Sequence, residues 1–207
     1  MSFNNQLAAS VVLPVITANN VDATVRLAQA LAKGGMKAVE ITLRTPEALA
    51  SIRAIKAAVP EMLVAAGTVI DQSTLEQSHQ AGADFCVSPG MTESLLRVAM
   101  EHEVRLLPGV ATASEVMLGM DYGFETFKLF PAKAVGGLEL LKSFYGPFPN
   151  VRFCPTGGLG PSNFREFLAL PNVVCCGGSW MVRQDLVGSG NWNEIETLAR
   201  QAVQGGD

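Results

Sequence analysis

One lysine lies inside a short apolar run, where an unpaired charge is costly. Lys128 occupies the run TFKLFP (126–131), which has the composition of a buried β-strand. Because side chains alternate along a strand, Lys128 shares one face with Thr126 and Phe130. Burial disfavours the ammonium form, so this lysine must pair with an anion or lose its charge. A neutral amine forms an imine with a ketone, which makes Lys128 a candidate nucleophile; the alternative is a lysine held in a structural ion pair.

A carboxylate and a guanidinium share one face of another run. In VEITLR (39–44), Glu40 and Arg44 alternate with apolar residues and lie about 13 Å apart along a strand. Glu40 is suited to proton transfer near Lys128, and Arg44 at the rim can bind a substrate carboxylate in bidentate fashion. Thr68, at the end of the next run, could donate a hydroxyl to the same carboxylate. A purely structural Glu40–Lys128 pair is the alternative, although desolvation makes such pairs poor stabilisers.

Two glycine pairs end the last two apolar runs. They are Gly157-Gly158, which follow Thr156, and Gly177-Gly178, which precede Ser179. Glycine lets backbone N–H groups approach an anion closely, and α/β barrels frequently bind phosphate after strands seven and eight, beside the N-terminus of a short helix. The combination predicts a phosphate site, although either pair alone is also typical of a tight turn.

The elements that would position these side chains alternate regularly along the chain. Each of eight apolar β runs precedes a helical pattern, and the second helix is entered through Thr45-Pro46, where proline suits the first helical turn. The runs cover 11–17, 38–43, 63–68, 85–90, 105–110, 126–131, 152–158 and 173–180. The helical patterns cover 21–33, a segment entered through 45–46, 71–81, 92–102, 112–121, 137–144, 161–169 and 192–204.

Eight βα units predict an α/β fold, a single (β/α)8 TIM barrel, with one domain over residues 1–207. Residues 1–10 would form a short N-terminal cap over the bottom of the barrel. An open doubly wound sheet is the alternative. In a barrel the active site lies at the carboxyl ends of the strands, and the candidate residues gather there.

Composition argues against several classes of partner. Charged residues make up 16% of the chain, against about 25% in typical domains, and the net charge of −4 contains no block of one sign. We therefore expect no nucleic-acid or membrane partner. No apolar run reaches the ~18 residues of a membrane span, and the first ten residues do not resemble a secretory signal, so a cytoplasmic location is expected.

The cysteines and histidines do not predict a metal or a disulfide. Cys86, Cys154, Cys175 and Cys176 all lie in apolar runs without a C-x-x-C pair, which favours reduced core thiols. Adjacent Cys175 and Cys176 should point to opposite faces of their strand. The two histidines, His79 and His102, have no Cys or His at ligand spacing, so a metal site built on a histidine cluster is not expected.

Eight segments of the chain, taken in order, resemble those of a known family. The chain resembles the class I 2-keto-3-deoxy-6-phosphogluconate (KDPG) aldolases, also called KDPG/4-hydroxy-2-oxoglutarate aldolases, over essentially its whole length. The segments that carry the resemblance are VEITLRT (39–45), AAGTV (65–69), VSPG (87–90), LPGVAT (107–112), FKLFPA (127–132), GPF (146–148), RFCPTGG (152–158) and GGSW (177–180).

The resemblance implies a Schiff-base aldolase of the Entner–Doudoroff pathway. It would cleave KDPG to pyruvate and glyceraldehyde 3-phosphate, and would also act on 4-hydroxy-2-oxoglutarate. The implied roles are the Schiff base for Lys128, proton transfer for Glu40, carboxylate binding for Arg44 and Thr68, pocket lining for Pro89 and Phe130, contact with the substrate hydroxyls for Thr156, and phosphate binding for Gly157, Gly158, Gly178 and Ser179. The family also implies a homotrimer without metal or organic cofactor, whose small-molecule partner is a phosphorylated 2-keto acid.

Two comparisons refine the implied substrate. The sister family that acts on 2-keto-3-deoxy-6-phosphogalactonate differs at the positions of Arg44 and Thr156, so the chain is more similar to the gluconate enzymes. The family commonly has an acidic residue where this chain has Lys133. This loop lysine near the site mouth makes the relative substrate preference an open question and could serve the phosphate.

Two rival functions stay open from the sequence. One is a phosphate-binding barrel, such as an isomerase or a phosphosugar synthase, that does not use Lys128. The other is a catalytically silent ligand-binding barrel. An inward lysine, carboxylate and arginine together with a phosphate site argue for an enzyme.

Overall fold

The computed structural model describes residues 3–204, and its strands are short, buried and parallel. The strands are β1 (Val12–Ile16), β2 (Ala38–Thr42), β3 (Leu63–Gly67), β4 (Phe85–Val87), β5 (Leu106–Leu107), β6 (Gly109–Val110), β7 (Thr126–Leu129), β8 (Arg152–Pro155) and β9 (Cys176–Gly178). The helices are α1 (Phe3–Ala8), α2 (Val21–Lys33), α3 (Ala48–Ala58), α4 (Gln72–Gln80), α5 (Glu93–Glu101), α6 (Ala113–Asp121), α7 (Gly137–Tyr145), α8 (Phe164–Leu168), α9 (Gln184–Gly188) and α10 (Trp192–Gln204).

The strands form two parallel sheets. One has six strands in the order β5-β4-β3-β2-β1-β9, and the other has the order β6-β7-β8. Only Pro108 separates β5 from β6, and proline has no N–H to continue a ladder. Single parallel bridges, Phe153–Val173 and Thr156–Gly177, link β8 to the segment of β9. The α/β prediction with parallel strands is thereby confirmed.

Side chains alternate between the two faces of each strand and so form two apolar layers, one on each face. On β2, Val39 and Ile41 pack outward with the helices, whereas Ala38 points to the opposite face. We call that face the inner face. It carries an inner cluster of fully or nearly fully buried residues, which consists of Leu7, Leu13, Ala38, Ala65, Phe85, Val87, Leu107, Cys154 and Cys175.

The N-terminal helix packs against the inner cluster. Leu7 of α1 is fully buried in the inner cluster, and the ring of Phe3 packs edge-on against Phe85 at 5.2 Å. Thr126 Oγ1, at the start of β7, donates to Asn4 Oδ1 at 2.5 Å. Residues 1 and 2 of the predicted cap lie outside the described residues.

Several predicted boundaries were wrong for identifiable reasons. Helix α3 begins at Ala48 rather than at Pro46, because residues 45–47 form a turn in which the Thr45 hydroxyl donates to Ala18 O. The eighth strand shrinks to β9, and the fifth is interrupted at Pro108. Helix α9 was not predicted, since five residues are too few to show a period.

The termini of the helices follow from local sequence. Asn20 Oδ1 accepts from Ala23 N at 2.9 Å at the start of α2, and Gly34 ends that helix. Asp71 and Thr74 form a capping box at the start of α4. Among residues 3–204, none of the helices combines the length and apolar character needed to cross a membrane.

Candidate active site

Lys128 lies inside β7 and points to the inner face, beside Cys154 of the inner cluster. Its neighbours Phe127 and Leu129 are fully buried in the outer layer, as the alternation predicted. Lys128 is 6% exposed and Glu40, on β2, is 1% exposed. Lys128 Nζ donates to Glu40 Oε1 at 3.1 Å and lies 3.3 Å from Oε2. The structure therefore brings the predicted amine and carboxylate together in a site shielded from water.

Gly67 makes room for the Glu40 side chain. The strand β3 pairs with β2 in the register Glu40–Ala65, which places Gly67 one inward position further along. A Cβ on Gly67 would lie 2.6 Å from Glu40 Cγ, closer than side chains can approach. A residue larger than glycine would displace the carboxylate from Lys128. Sequence reasoning recognised Gly67 only as a strand end, because the contact depends on the register between strands.

Two thiols lie beside the Lys128–Glu40 pair on the inner face. Cys154 is the register neighbour of Lys128 on β8. The thiol of Cys175 donates to Cys154 and lowers its pKa, and the positive charge of Lys128 acts in the same direction. The same hydrogen bond, together with burial, raises the pKa of Cys175. All four cysteines are buried and free, as predicted, and Cys175 and Cys176 point to opposite faces.

Arg44 and Thr68 meet where β2 and β3 end. Arg44 Nε donates to Thr68 Oγ1 at 3.3 Å, and Arg44 is exposed. Within residues 3–204 Arg44 has no carboxylate partner, so its remaining donors are available to an anion. Thr68 has a φ of 64°, a left-handed conformation that β-branched residues rarely adopt. Strained backbone of this kind clusters at functional sites.

Phe130 and Pro89 stand beside the lysine at the same edge. The Phe130 ring is half-buried, and its centroid lies 5.3 Å from Lys128 Nζ. Pro89 is half-buried, and its carbonyl carbon packs so closely against Gly109 that a Cβ on Gly109 would clash with it. Gly109 N also donates to Ser88 Oγ at 3.3 Å. The Phe130 ring therefore borders the amine, and Pro89 packs against Gly109, the register neighbour of Lys128 on β6.

Thr156 points inward from the end of β8. It is 6% exposed, bridges to Gly177 of β9, and covers it, since a Cβ on Gly177 would lie 2.8 Å from Thr156 Cγ2. Gly177 thus leaves space for the Thr156 side chain in the way Gly67 does for Glu40. The sequence indicated Gly177 only as part of a glycine pair.

The two glycine-rich turns lie next to each other at this edge. Gly157 and Gly158 have φ values of 103° and 78°, which side chains rarely tolerate. Gly178 is buried inside β9 against the Trp180 ring, and Ser179 follows it in an exposed position. A cleft of about 400 Å³ opens beside Ser179, and its lining includes Thr17, Ser179, Arg183, Gln184 and Asp185.

Asn163 braces the first of these turns and was not recognised from the sequence. Its Oδ1 accepts from Gly160 N at 2.8 Å, and its Nδ2 donates to Gly158 O at 3.2 Å. These bonds hold residues 158–163 as a loop, so α8 begins at Phe164 rather than at 161. An Asx followed by a short helix after a Gly-rich strand end could have signalled such a loop.

Other parts of the described chain lack a comparable set of reactive side chains. A cavity of about 530 Å³ lies at the opposite end of the strands, and its lining includes Phe3, Met100, Leu106, Tyr122 and Phe124. It has no buried lysine or carboxylate, so we do not assign the chemistry to it. No group of three His, Cys, Asp or Glu residues within 3–204 is arranged to hold a metal ion.

Comparisons with known proteins agree on one family. The family model described as KDPG and KHG aldolase matches residues 3–198. The KHG/KDPG aldolase of Escherichia coli K12 is 49% identical over 199 residues, which covers 96% of this chain and 93% of that protein.

Two solved structures are similar over nearly the whole chain. The KDPG aldolase of Legionella pneumophila, with pyruvate captured at low pH as a covalent carbinolamine intermediate, superposes with a TM-score of 0.94 at 42% identity, covering 98% of each chain. The aldolase of Zymomonas mobilis ZM4 with 3-phosphoglycerate has a TM-score of 0.92 at 42% identity, covering 97% of this chain and 94% of that one.

Proposed function

Since this chain belongs to the KDPG and KHG aldolase family, we propose that it cleaves KDPG to pyruvate and glyceraldehyde 3-phosphate through an imine on Lys128. It is a class I aldolase, a carbon–carbon lyase. The observation that carries the assignment of the nucleophile is the buried Lys128 amine, 3.1 Å from the Glu40 carboxylate at the carboxyl edge of parallel strands.

The substrate would lie across this edge with its keto carbon at Lys128. Arg44 and Thr68 are adjacent, and their donors suit the C1 carboxylate. Phe130 and Pro89 would border the apolar C3 position. Thr156 offers a hydroxyl toward the substrate hydroxyls. The phosphate would rest on backbone N–H groups of Gly157, Gly158, Gly178 and Ser179, where binding remote from the reacting bond helps to orient it.

Imine formation requires Lys128 to be neutral. Glu40 is its hydrogen-bond partner, and in a water-excluded site it can accept the ammonium proton directly. The amine then attacks C2 of the ketone to form a carbinolamine. The proton held by Glu40 returns to the C2 hydroxyl, which leaves as water and completes the iminium. In the attack step a proton also passes from the nitrogen to the C2 oxygen, so the carbinolamine is neutral before the hydroxyl leaves.

Cleavage follows from the iminium acting as an electron sink. Glu40, directly or through a water molecule, removes the proton of the C4 hydroxyl, and the electrons of the C3–C4 bond pass into the iminium. Glyceraldehyde 3-phosphate leaves, and a pyruvate enamine remains on Lys128. Protonation at C3 and hydrolysis of the imine release pyruvate and restore the amine. Covalent catalysis thus replaces one difficult carbanion step with easier ones.

A second substrate is 4-hydroxy-2-oxoglutarate, which would give pyruvate and glyoxylate by the same steps. The E. coli relative carries both substrates in its name, and the chemistry needs only the 2-keto and 4-hydroxy groups. Arg44 and Thr156 favour KDPG over its galactonate epimer, because at those two positions the chain resembles the gluconate enzymes and the sister family differs.

The fold proposed for the described residues is one closed (β/α)8 barrel capped by α1, forming a single domain. Two features support it: β5 and β6 adjoin through Pro108, and the bridges from β8 reach the segment of β9. With both links, the strands would follow one another around a closed cycle. Limited proteolysis that released a stable folded fragment would contradict a single domain.

A homotrimer located in the cytoplasm is also proposed, as the resemblance implies. Exposed Met117 and Met120 on α6 and Met100 on α5 offer apolar helix surface for association. Four free thiols suit a reducing compartment. Light scattering at micromolar concentration measures the mass, and a monomer of 21.9 kDa would contradict the trimer.

Borohydride trapping tests the proposed function. Incubation with pyruvate and sodium borohydride should reduce the imine to a stable secondary amine and attach one pyruvate-derived group to the peptide containing Lys128. A coupled assay should detect pyruvate release from KDPG. The proposal fails if the adduct maps to another lysine, or if purified protein releases no pyruvate from either substrate.

A further inference from the structure

The side chain of Lys133 lies across the first glycine-rich turn. A Cβ on Gly158 would be 2.6 Å from Lys133 Cβ and 3.0 Å from Lys133 Cδ, so the aliphatic stem covers the Gly158 backbone. Lys133 N donates to Gly157 O at 3.1 Å, and Ala132 N donates to Thr156 O at 2.8 Å. Residues 132–133 therefore run beside residues 156–157 and fix the start of the lysine side chain over the turn.

The charge of Lys133 is not compensated. Lys133 is exposed, and within residues 3–204 its ammonium has neither a carboxylate nor a hydrogen-bond acceptor. Across the edge, Arg183 lines the cleft beside Ser179, but its guanidinium is bound by the Asp185 carboxylate, at 3.0 Å from Nε to Oδ1. The neutral Arg183–Asp185 pair adds no net charge there, whereas Lys133 adds a full positive charge to the turn.

We propose that Lys133 binds the terminal phosphate of the substrate and sets the preference for phosphorylated over unphosphorylated 2-keto acids. The inference rests on the proposed function. Backbone N–H groups of the glycine turns are directional donors but carry no net charge, whereas a phosphate monoester carries about −1.5 to −2 at pH 7. A flexible ammonium next to these donors supplies the missing counter-charge.

The two substrates differ at the atoms that Lys133 would contact. In 4-hydroxy-2-oxoglutarate the second anion is a carboxylate at C5, which is three bonds short of the phosphorus of KDPG. Anchored by its keto group at Lys128, the smaller substrate would not reach the glycine turns. Lys133 should therefore act on the binding of KDPG and leave both the chemical step and the smaller substrate unaffected.

Steady-state kinetics on both substrates tests this role. Lys133→Gln should raise the KM for KDPG about fivefold and Lys133→Glu about twentyfold, with kcat unchanged, since exposed charged contacts are of modest strength. The KM for 4-hydroxy-2-oxoglutarate should change less than about twofold. Lys133→Arg should restore most of the KDPG affinity. Added salt should raise the KM for KDPG more steeply in the parent enzyme than in Lys133→Gln.

Lys142→Gln is the matched control, because Lys142 is an exposed lysine on α7, paired with Glu139. It should leave the KM values for both substrates as they are. The inference is overturned if the Lys133 variants shift both substrates equally, or if neither KM changes while the parent enzyme is active. An inactive parent enzyme would instead overturn the proposed function, so the two failures are distinguishable.

Discussion

The inner cluster and the candidate active site occupy the same face of the same strands. Moving two residues along a strand leads from one to the other: Ala38 to Glu40, Ala65 to Gly67, Cys154 to Thr156, and Cys175 to Gly177. The period of two keeps each pair on one face, so the backbone is the same and only the side-chain chemistry differs. The lower positions are filled with apolar groups, whereas the upper ones hold charge, hydroxyls or glycine.

The two regions make opposite contributions to stability. The inner cluster removes apolar surface from water, and a fully buried side chain such as Phe85 contributes about 1.5–3 kcal/mol in that way. The upper region holds an ion pair at 6% and 1% exposure, whose desolvation offsets much of its attraction. It also holds Thr68 in a left-handed conformation. The stable end of the strands therefore supports an end that is shaped for chemistry.

Replacing Lys128 should produce the largest effect. Lys128→Ala removes the proposed nucleophile, and kcat/KM for KDPG should fall by about a thousandfold or more. Lys128→Arg keeps a positive charge beside Glu40 but lacks a nucleophilic amine, so it should be equally inactive. Circular dichroism should show that both variants fold. A Lys128→Ala variant with more than a tenth of the parent activity would favour the lysine-independent barrel.

Glu40→Gln should follow in size, because it keeps the shape of the side chain and removes its capacity to accept a proton. We expect kcat for KDPG to fall about a hundredfold or more, with a smaller change in KM. Glu61→Gln, at an exposed position, is the control and should be indistinguishable from the parent enzyme. A Glu40→Gln variant with kcat within threefold of the parent would reduce Glu40 to a structural partner of Lys128.

Phe85 tests how much the inner cluster contributes to stability. Phe85→Ala would leave a cavity beneath Phe3 and α1, and should lower the free energy of unfolding by about 3–5 kcal/mol. Because Phe85 lies away from the reacting groups, kcat/KM of the folded variant should stay within a fewfold of the parent. Urea denaturation and kinetics at low temperature measure the two quantities. Tyr145→Ala, on the exposed side of α7, should cost less than about 0.5 kcal/mol.

Much of the difference between the inner cluster and the candidate active site could be predicted from the sequence, since it follows from periodicity within a strand. The alternation in 39–44 and 126–131 was enough to place Glu40 and Lys128 on the inward face, and the series of βα units was enough for a parallel α/β fold. The Arg44–Thr68 contact likewise follows from two neighbouring strand ends.

The contacts that the sequence did not reveal depend on register between strands. Gly67 beneath Glu40 and Gly177 beneath Thr156 become meaningful only when the pairings Glu40–Ala65 and Thr156–Gly177 are known. Asn163 acts through a loop conformation that a short polar segment does not specify uniquely. The sequence alone therefore does not identify the small residues that make room for large functional side chains.

The smallest expected effect is that of replacing Thr68. It tests whether the strained backbone of Thr68 lowers stability while supporting substrate binding. Thr68→Gly removes a Cβ that makes φ 64° unfavourable by about 1–2 kcal/mol, while glycine loses about 0.5–1 kcal/mol through its freer unfolded chain. The net gain in unfolding free energy should be below about 1 kcal/mol. Loss of the hydroxyl that orients Arg44 should raise the KM for KDPG severalfold, about fivefold for a solvent-exposed hydrogen bond that contributes about 1 kcal/mol.

Glu103 provides the matched control, since it also has a positive φ, 52°. It lies exposed after α5 and lines the cavity at the opposite end of the strands from the candidate active site. Glu103→Gly should gain a similar stability without any change in KM. If both glycine variants gain stability and only Thr68→Gly loses affinity, then equal backbone strain is useful at one end of the strands and idle at the other. An equal loss of affinity in both variants, or none in Thr68→Gly, would contradict a functional role for the strained threonine.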